Sequence, residues 1–403
     1  MDKLVVATTE NVSNHIYDDV ALVILSKLPI KSLFRFLCVN KSWSLMFQNP
    51  YFMDIFRRNF LYKNHSYDND TSLLLHHIAI EHWHLPCEYE PKLYSLSSEK
   101  SMLKLDWPNP FQEQCDFDIN GYSVNGIFCI ERAAWVDGIR NKIEELGRFV
   151  LWNPATDECK VTSPSPFAFE FPWLDPFIDF HGFGYDQVCD DYKVVRHIRF
   201  HPITDEDFVE TWKDGYGFHE SLWEIYSLNY NCWRKLDLDM PTQYFGQAYT
   251  DGVCHWCCEG EIDDENILVS FDLKNETFVK TFIPSNMDYI DSVFIFRNLI
   301  MLNGSIGLIS NYAETSTFHV SILGEVGIKE SWIKLFIVDL LPCVEHPIGI
   351  GNKGDIFFRK NDGELVWFNL YTQKIEELGV KGESNCQIMI YKESFLPFER
   401  INN

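Results

Sequence analysis

Six times between Lys92 and Leu378 the chain repeats one phrase: an apolar strand ending in Asn, Asp or Ser, a short polar turn, and a second strand with an apolar or aromatic residue soon after. The copies are KLYSLSSEKSMLKL from Lys92, FVLWNPATDECKV from Phe149, WEIYSLNYNCWRKL from Trp223, LVSFDLKNETFVKTF from Leu268, FHVSILGEVGIKESWIKL from Phe318 and LVWFNLYTQKIEEL from Leu365. Anchored on Ser95, Asn153, Ser227, Asp272, Leu323 and Asn369, they are 58, 74, 45, 51 and 46 residues apart. A four-stranded propeller blade needs about 40 to 50 residues, so this period constrains the fold more than any single motif. A second phrase, glycine followed by an apolar strand, precedes most of the hairpins: NGIFCI from Asn125, GFGYD from Gly182, DGVCHW from Asp251, NGSIGLIS from Asn303 and KGDIFF from Lys353. Asn-Gly and Asp-Gly tolerate positive φ and form tight turns. Each unit is therefore expected to hold an inner strand after the turn and an outer hairpin. One further strand, Cys386 to Tyr391, remains after the sixth hairpin. Its expected use is to complete the first blade, around residues 73 to 105, because an open ring would leave exposed strand edges.

The region from Asn14 to Phe60 has a different period. Asp18 and Asp19 open a helix at its positive end, and Val20, Ile24, Leu25 and Leu28 share one face. Pro29 stops it, since proline has no amide hydrogen and clashes with the preceding turn. A second helix carries Leu33, Phe36 and Leu37, and Asn40 caps a third with Trp43, Met46 and Phe47, which Asn49-Pro50 ends. Three short helices lack the volume to bury that apolar surface among themselves, so the surplus calls for a partner. The expected organisation is a flexible N-terminus over 1–13, the helical segment over 14–60, a junction over 61–85, and an all-β body over 86–403.

LPIKSLFRFLCVNKSW from Leu28, with NPYF from Asn49, resembles the F-box, the segment that docks a protein onto the Skp adaptor of a cullin-RING ubiquitin ligase. Leu28, Pro29, Ser32, Leu33, Val39, Lys41, Ser42 and Trp43 carry the likeness. The adaptor-binding residues so indicated are Ile16, Val20, Ile24, Leu25, Leu28, Pro29, Ser32, Leu33, Phe36, Val39 and Trp43. The family pattern opens with Leu-Pro or Ile-Pro before its acidic pair, whereas Tyr17 follows Ile16 here, which loosens the expected first turn. From about Asn120 to Lys392, the phrases HGFGYD, DDYKVVRH, WEIYSLNYNCWRKL, DGVCHW, LVSFDL and GEVGIKESWIKLF resemble the F-box-associated interaction domain of plant proteins, the group that includes the S-locus F-box proteins. The resemblance implies a small three-helix all-α F-box followed by an all-β domain, a six-bladed kelch-like β-propeller that holds the protein to be ubiquitinated. It also implies cullin and RING partners reached through the adaptor.

Charge and composition narrow the function classes. Residues 1 to 60 hold seven Lys/Arg and five Asp/Glu, a sum of +2, which leaves 27 positive and 54 negative residues beyond, a sum of −27. So acidic a body disfavours nucleic acid, whose phosphates need a basic stripe. It suits solubility or a basic protein partner. The start of the chain lacks a signal-peptide pattern and no run reaches 18 apolar residues, so no membrane association is expected. Twelve cysteines without a framework spacing read as free thiols in the reducing cytoplasm or nucleus.

Several patterns mimic chemistry. Cys254-His255-Trp256-Cys257-Cys258 contains a C-x-x-C, but a zinc site needs two converging pairs, and in a strand Cys254 and Cys257 face opposite sides. Gly349, Gly351 and Gly354 match a dinucleotide fingerprint as a string, yet Asp355-Ile356-Phe357-Phe358 continues as strand where that motif needs a helix. His76, His77, His82 and His84 lack metal-ligand spacing and decorate the junction. No metal, cofactor or catalytic constellation is expected. Two insertions are candidates for target binding, because loops on one rim of a repeat protein often form its binding face. The first holds Phe167, Phe169, Phe171, Trp173 and Phe177, either interface anchors or one face of a buried strand. The second holds the acidic run Asp205, Glu206, Asp207, which meets a basic target or is simply solvated. The leading expectation is a non-catalytic substrate receptor; the alternative is an F-box scaffold that leads to no degradation, and a propeller enzyme with an appended F-box is the third.

Overall fold

The computed structural model describes residues 17–28, 30–39, 45–46, 49–62, 71–77, 92–96, 101–108, 117–132, 148–168, 170–171, 174–202, 220–242, 245–258, 266–284, 294–312, 317–339, 344–351, 354–396 and 398. They fall into two units: Met1–Ser66 with Phe395–Asn403, and Tyr67–Ser394.

The first unit contains α1 (Asp18–Leu25), α2 (Ile30–Leu37) and α3 (Pro50–Tyr62). The Asn49-Pro50 pair, expected to end a helix, starts the longest one. Asn49 Oδ1 accepts the amides of Tyr51 at 2.9 Å and Phe52 at 3.2 Å, as an N-cap does. Pro50 takes the first helical position, where its missing amide costs nothing. Behind it Phe52, Phe56 and Phe60 stack one turn apart, with centroids 5.8 and 6.2 Å apart. They form a core with Leu25, Leu33, Met46, Met53 and, from the far end of the chain, Leu396. Asn59 Nδ2 donates to Ser26 Oγ at 2.8 Å, tying α3 to the end of α1. The third helix and Leu396 supply the volume that the sequence reading found missing. Most of the helix expected between Asn40 and Asn49 lies outside the described residues.

The second unit is six four-stranded antiparallel sheets. Their strands are β1 (Thr71–His77), β2 (Lys92–Leu96), β3 (Met102–Leu105); β4 (Phe117–Val124), β5 (Ile127–Arg132), β6 (Phe149–Asn153), β7 (Glu158–Val161); β8 (Leu174–Asp186), β9 (Asp191–Pro202), β10 (Glu220–Ser227), β11 (Cys232–Leu236); β12 (Phe245–Thr250), β13 (Val253–Cys258), β14 (Ile267–Asp272), β15 (Thr277–Phe282); β16 (Phe294–Leu302), β17 (Ser305–Tyr312), β18 (Thr317–Leu323), β19 (Trp332–Asp339); β20 (Val344–Ile350), β21 (Asp355–Lys360), β22 (Glu364–Asn369), β23 (Lys374–Lys381); and β24 (Cys386–Lys392). The terminal strand β24 pairs with β1 along its whole length, giving the order β24-β1-β2-β3 and completing the first blade as expected. Strands β24, β4, β8, β12, β16 and β20 are innermost, each packing on the next, and β20 returns to β24. The ring is closed, and the body begins at Thr71, inside the stretch assigned to a junction.

All six repeated phrases are the outer hairpins of blades. In five four-residue loops the last residue lies at positive φ: Asp157, Asp190, Asn231, Glu276 and Gln373. Before four of these loops stands an Asn or Asp whose side chain accepts turn amides, as Asp272 Oδ1 does from Lys274 at 2.8 Å and Asn275 at 3.0 Å. Asn153, Asp186 and Asn369 do the same. This is why the phrase ends its first strand in a short polar side chain. Asn125-Gly126, Asp251-Gly252 and Asn303-Gly304 have both residues at positive φ, as the tightest hairpins require. They join the first strand of a blade to the second, so the strand after the turn is not the innermost one. Two innermost strands were expected, β24 and, through GFGYD, β8, whereas β4, β12, β16 and β20 were not; register shifts occur at Ile119/Ser123, Phe180/Gly182, Phe245/Gln247 and Phe294/Phe296.

The cores lie between blades, built by the aromatic residues. Phe128, Trp152 and Tyr391 fill the space between the first and second, Trp223, Trp256 and Phe271 that between the third and fourth, and Phe318, Phe358 and Phe368 that between the fifth and sixth.

Candidate functional site

On the helical unit the residues indicated for adaptor binding divide by exposure. Val20 and Ile24, one turn apart on α1, are half exposed, and Val39 after α2 is 72% exposed. Leu25 and Leu33 point the other way and are buried in the unit's own core, with Leu28 and Phe36 packed against it. In the free chain α3 and Leu396 give these four side chains an internal partner, completely for Leu25 and Leu33 and in part for Leu28 and Phe36. Ser32 is half-buried, and Ile16, Pro29 and Trp43 lie outside the described residues. Leu45 and Tyr51, which the sequence reading passed over, are exposed apolar neighbours in the chain. Tyr17 occupies the N-cap of α1 in an extended conformation, with no side-chain cap hydrogen bond and its ring 79% exposed. So many exposed large apolar side chains in so small a unit mark a surface built to be covered.

In the propeller, strand direction sorts the connections onto two rims. The strand ends joined by first-to-second and third-to-fourth turns fall on one rim, and the ends joined by second-to-third connections and by crossovers between blades fall on the other. Both insertions join strand ends on that loop-rich rim, at the third blade: one links β7 to β8 and the other β9 to β10. Thr71 and Lys392, where the chain enters and leaves the ring, lie on the tight-turn rim.

Of the aromatic run, Phe167, Phe171 and Phe177 lie among the described residues. Phe171 packs edge-on against Phe200 at 5.0 Å, within a cluster of Ala168, Leu174 and Ile198. Half-buried Phe177 lies beneath the Arg199 guanidinium, 4.7 Å away, which is held by Asp179 through bonds of 2.6 and 2.9 Å. Phe167 lies 5.0 Å from Lys235 Nζ, itself paired with Glu170 at 2.5 Å. Two rings thus present cation–π pairs, a combination of apolar area and fixed charge suited to protein contacts. Phe169, Trp173, Asp205, Glu206 and Asp207 lie outside the described residues.

What fixes this segment escaped the sequence reading. Glu224 on β10 is fully buried and holds Arg196 of β9 through Oε1 at 2.5 Å. Its other oxygen accepts from Ser165 Oγ at 2.6 Å. The Arg196 guanidinium lies 3.7 Å over the Trp233 ring, and Trp233 Nε1 donates to Ser163 O at 2.8 Å. Burial draws the Arg196 pKa below the ordinary arginine value and Glu224 opposes that shift. A buried charged pair on adjacent strands of the third blade therefore positions the start of the first insertion. Its signal in the sequence was an arginine between apolar neighbours, in KVVRHI from Lys193.

The other patterns resolve as packing. Cys254 and Cys258 face one inter-blade core and Cys257 the next. Burial pushes the Cys258 thiol up to about 12 and Cys254 higher still, against thiolate chemistry. His255 bonds Ser270 Oγ at 2.8 Å, and burial lowers its pKa to about 3. Gly349 sits on β20 where any side chain would strike the Ile388 carbonyl, and Gly354, at φ +82, turns into strand β21. His76 and His77 belong to β1, whereas His82 and His84 are outside the described residues. No group of three or more potential metal ligands occurs among the described residues.

Comparison with known proteins agrees with this geometry. The sequence model of the F-box domain matches residues 14–54, and that of the F-box associated beta propeller domain matches residues 137–396. F-box protein CPR1 of Arabidopsis thaliana is 25% identical over 384 residues, covering 90% of this chain and 84% of its own length. F-box protein At4g22390 of the same plant is 24% identical over 303 residues, 70% of this chain and 69% of its own. Among solved structures, a chain of a nidogen/laminin complex aligns with 80% of this one and 99% of itself, at a TM-score of 0.42 and 9% identity.

Proposed function

This chain belongs to the F-box-associated β-propeller family, and from that premise we propose that it is the substrate-recognition subunit of a Skp-cullin-RING ubiquitin ligase. In this reading the helical unit docks the Skp-type adaptor, through it the cullin and RING protein, and the loop-rich rim of the propeller holds a target protein. The chain then supplies proximity rather than chemistry. It uses no cofactor, binds neither nucleic acid nor membrane, and works in the cytoplasm or nucleus. The observation that carries the proposal is the division of labour within the F-box: Leu25 and Leu33 hold the fold while Val20, Ile24 and Val39 stay outside.

Val20→Lys with Ile24→Lys should leave the unit folded and weaken adaptor binding about a hundredfold, since burying one large aliphatic contributes about 1.5–3 kcal/mol. Leu33→Ala should instead destabilise the unit by about 2–5 kcal/mol. Affinity for purified adaptor and circular dichroism of both variants separate the two roles. Unchanged adaptor binding in the double lysine variant would overturn the proposed surface. For the propeller, a partner trapped on the full chain should be ubiquitinated when adaptor, cullin, RING protein and conjugating enzyme are added. Trapping without transfer would favour the scaffold.

A further inference from the structure

The segment after β24 belongs first to the propeller and then to the helical unit. Ser394 is the last residue of the propeller unit and is fully buried. Asn153 Nδ2 donates to its carbonyl oxygen at 2.8 Å, and a Cβ on Gly126 would stand 2.6 Å from its own Cβ. Asn125-Gly126 is the turn between β4 and β5, and Asn153 ends β6, so two turns of the second blade grip this residue. Leu396, two positions on, is 3% exposed in the core of the helical unit, with Leu25, Leu33, Phe52 and Phe56. Phe398, in the same unit, is also buried. A unit of a few short helices holds little apolar volume, and so small a core is sensitive to the loss of one large side chain. The helical segment at residues 14–60 therefore lacks part of its own core until the chain extends as far as Leu396.

We propose that Leu396 is a positioning residue for adaptor docking: by completing the helical core it holds α1 and α2, and with them Val20, Ile24 and Val39, so that a chain cut short before Leu396 does not dock. The inference rests on the adaptor reading above. The opposite role, covering the docking face, does not fit the geometry. With Leu396 seated, Val20 and Ile24 are still half exposed and Val39 is 72% exposed. Leu396 supports that face from the core side, where Leu25 and Leu33 lie. The consequence is selective. A chain with the helical segment but an unfinished propeller would occupy the adaptor without holding a target, and dependence on Leu396 excludes it. The grip on Ser394 favours the intact chain, because a short link to a fixed point keeps the local concentration of the leucine high.

The test uses the full chain and purified Skp-type adaptor. Leu396→Asp and, separately, truncation after Ser394 should each raise the adaptor dissociation constant at least about tenfold. Leu396→Met, which conserves volume, should bind as the wild type does. Both damaging variants keep β24 and the grip on Ser394, so the melting transition of the propeller should not move. Hydrogen exchange gives the local reading: protection should fall in α1 and α3 and persist in the strands. Adaptor affinity that is unchanged by the truncation overturns the proposal. Affinity that rises overturns it too, since the segment would then cover the docking face, and so does protection lost from helices and strands alike. An intact chain that does not bind the adaptor overturns the ligase reading and this role with it; one that binds but is indifferent to Leu396 overturns this role alone.

Discussion

Thr71, the first residue of β1, lies directly opposite Lys392, the last residue of β24. The pair closes the ring: the end of the domain supplies the innermost strand of a blade whose other three strands come from its beginning. Truncation after Gly382 removes β24 while keeping all six outer hairpins. It should expose the edges of β1 and β20 and yield an insoluble or protease-sensitive body. Equal solubility and an unshifted melting transition in the truncated chain would mean that the ring does not depend on this strand.

The features legible in advance were those whose cause is local. Asn-Gly turns and Asx-closed hairpins follow from the φ and hydrogen-bond preferences of single residues, and they located six blades without any long-range information. The innermost strands other than β24 and β8 were not legible for the opposite reason. FGQAYT and VEHPIGI, with glycine, proline and bulges, have poor strand propensity, and they are strands because neighbouring blades pack on both sides. Asn49-Pro50 was misread because the same two residues can end one helix or begin the next. Of the site, the apolar face of α1 was legible from period, but not its division into exposed Val20 and Ile24 and buried Leu25. The burial of Leu25 and Leu33 was not, since it depends on Leu396, more than 360 residues away in sequence. Glu224 and Arg196, on adjacent strands, had no local signature as a pair.

Gly349 sits where a Cβ would stand 2.3 Å from the Ile388 carbonyl oxygen. That oxygen belongs to the backbone of β24 and cannot rotate away. Gly349→Ala should therefore push β20 from β24 and destabilise the propeller by about 1–3 kcal/mol. Urea denaturation followed by tryptophan fluorescence measures this, and an unchanged midpoint would show that the two strands separate freely.

Arg196 and Glu224 are both buried, so removing one partner strands the other. Glu224→Leu should cost about 3–5 kcal/mol, whereas Arg196→Met with Glu224→Leu should recover much of that loss. The double variant still lacks the bond to Ser165 Oγ, so proteolysis near Ser163–Phe167 should rise in both variants. Equal stability of single and double variants would mean that the pair is not coupled.

Acid should weaken the propeller well before its carboxylates titrate. Burial lowers the pKa of His76, His181 and His255 to about 3, and that of His197 to about 4. An unfolded histidine titrates near 6.5. Below that pH the unfolded chain binds protons that the folded chain refuses, so this stability is complete above about pH 6.5 and is lost as pH falls toward the folded values. Each histidine contributes roughly 1 kcal/mol per pH unit within that window. Asp186 and Asp272, whose folded pKa values are depressed, lose their contribution only below about pH 4. Between pH 6.5 and about 4.5 the histidines therefore dominate. The urea midpoint should drop steadily over that range, and His255→Gln, which can still bond Ser270, should flatten the slope by about one histidine's share. A midpoint constant from pH 7 to pH 5 would show that these side chains reach solvent or find an anionic partner on protonation.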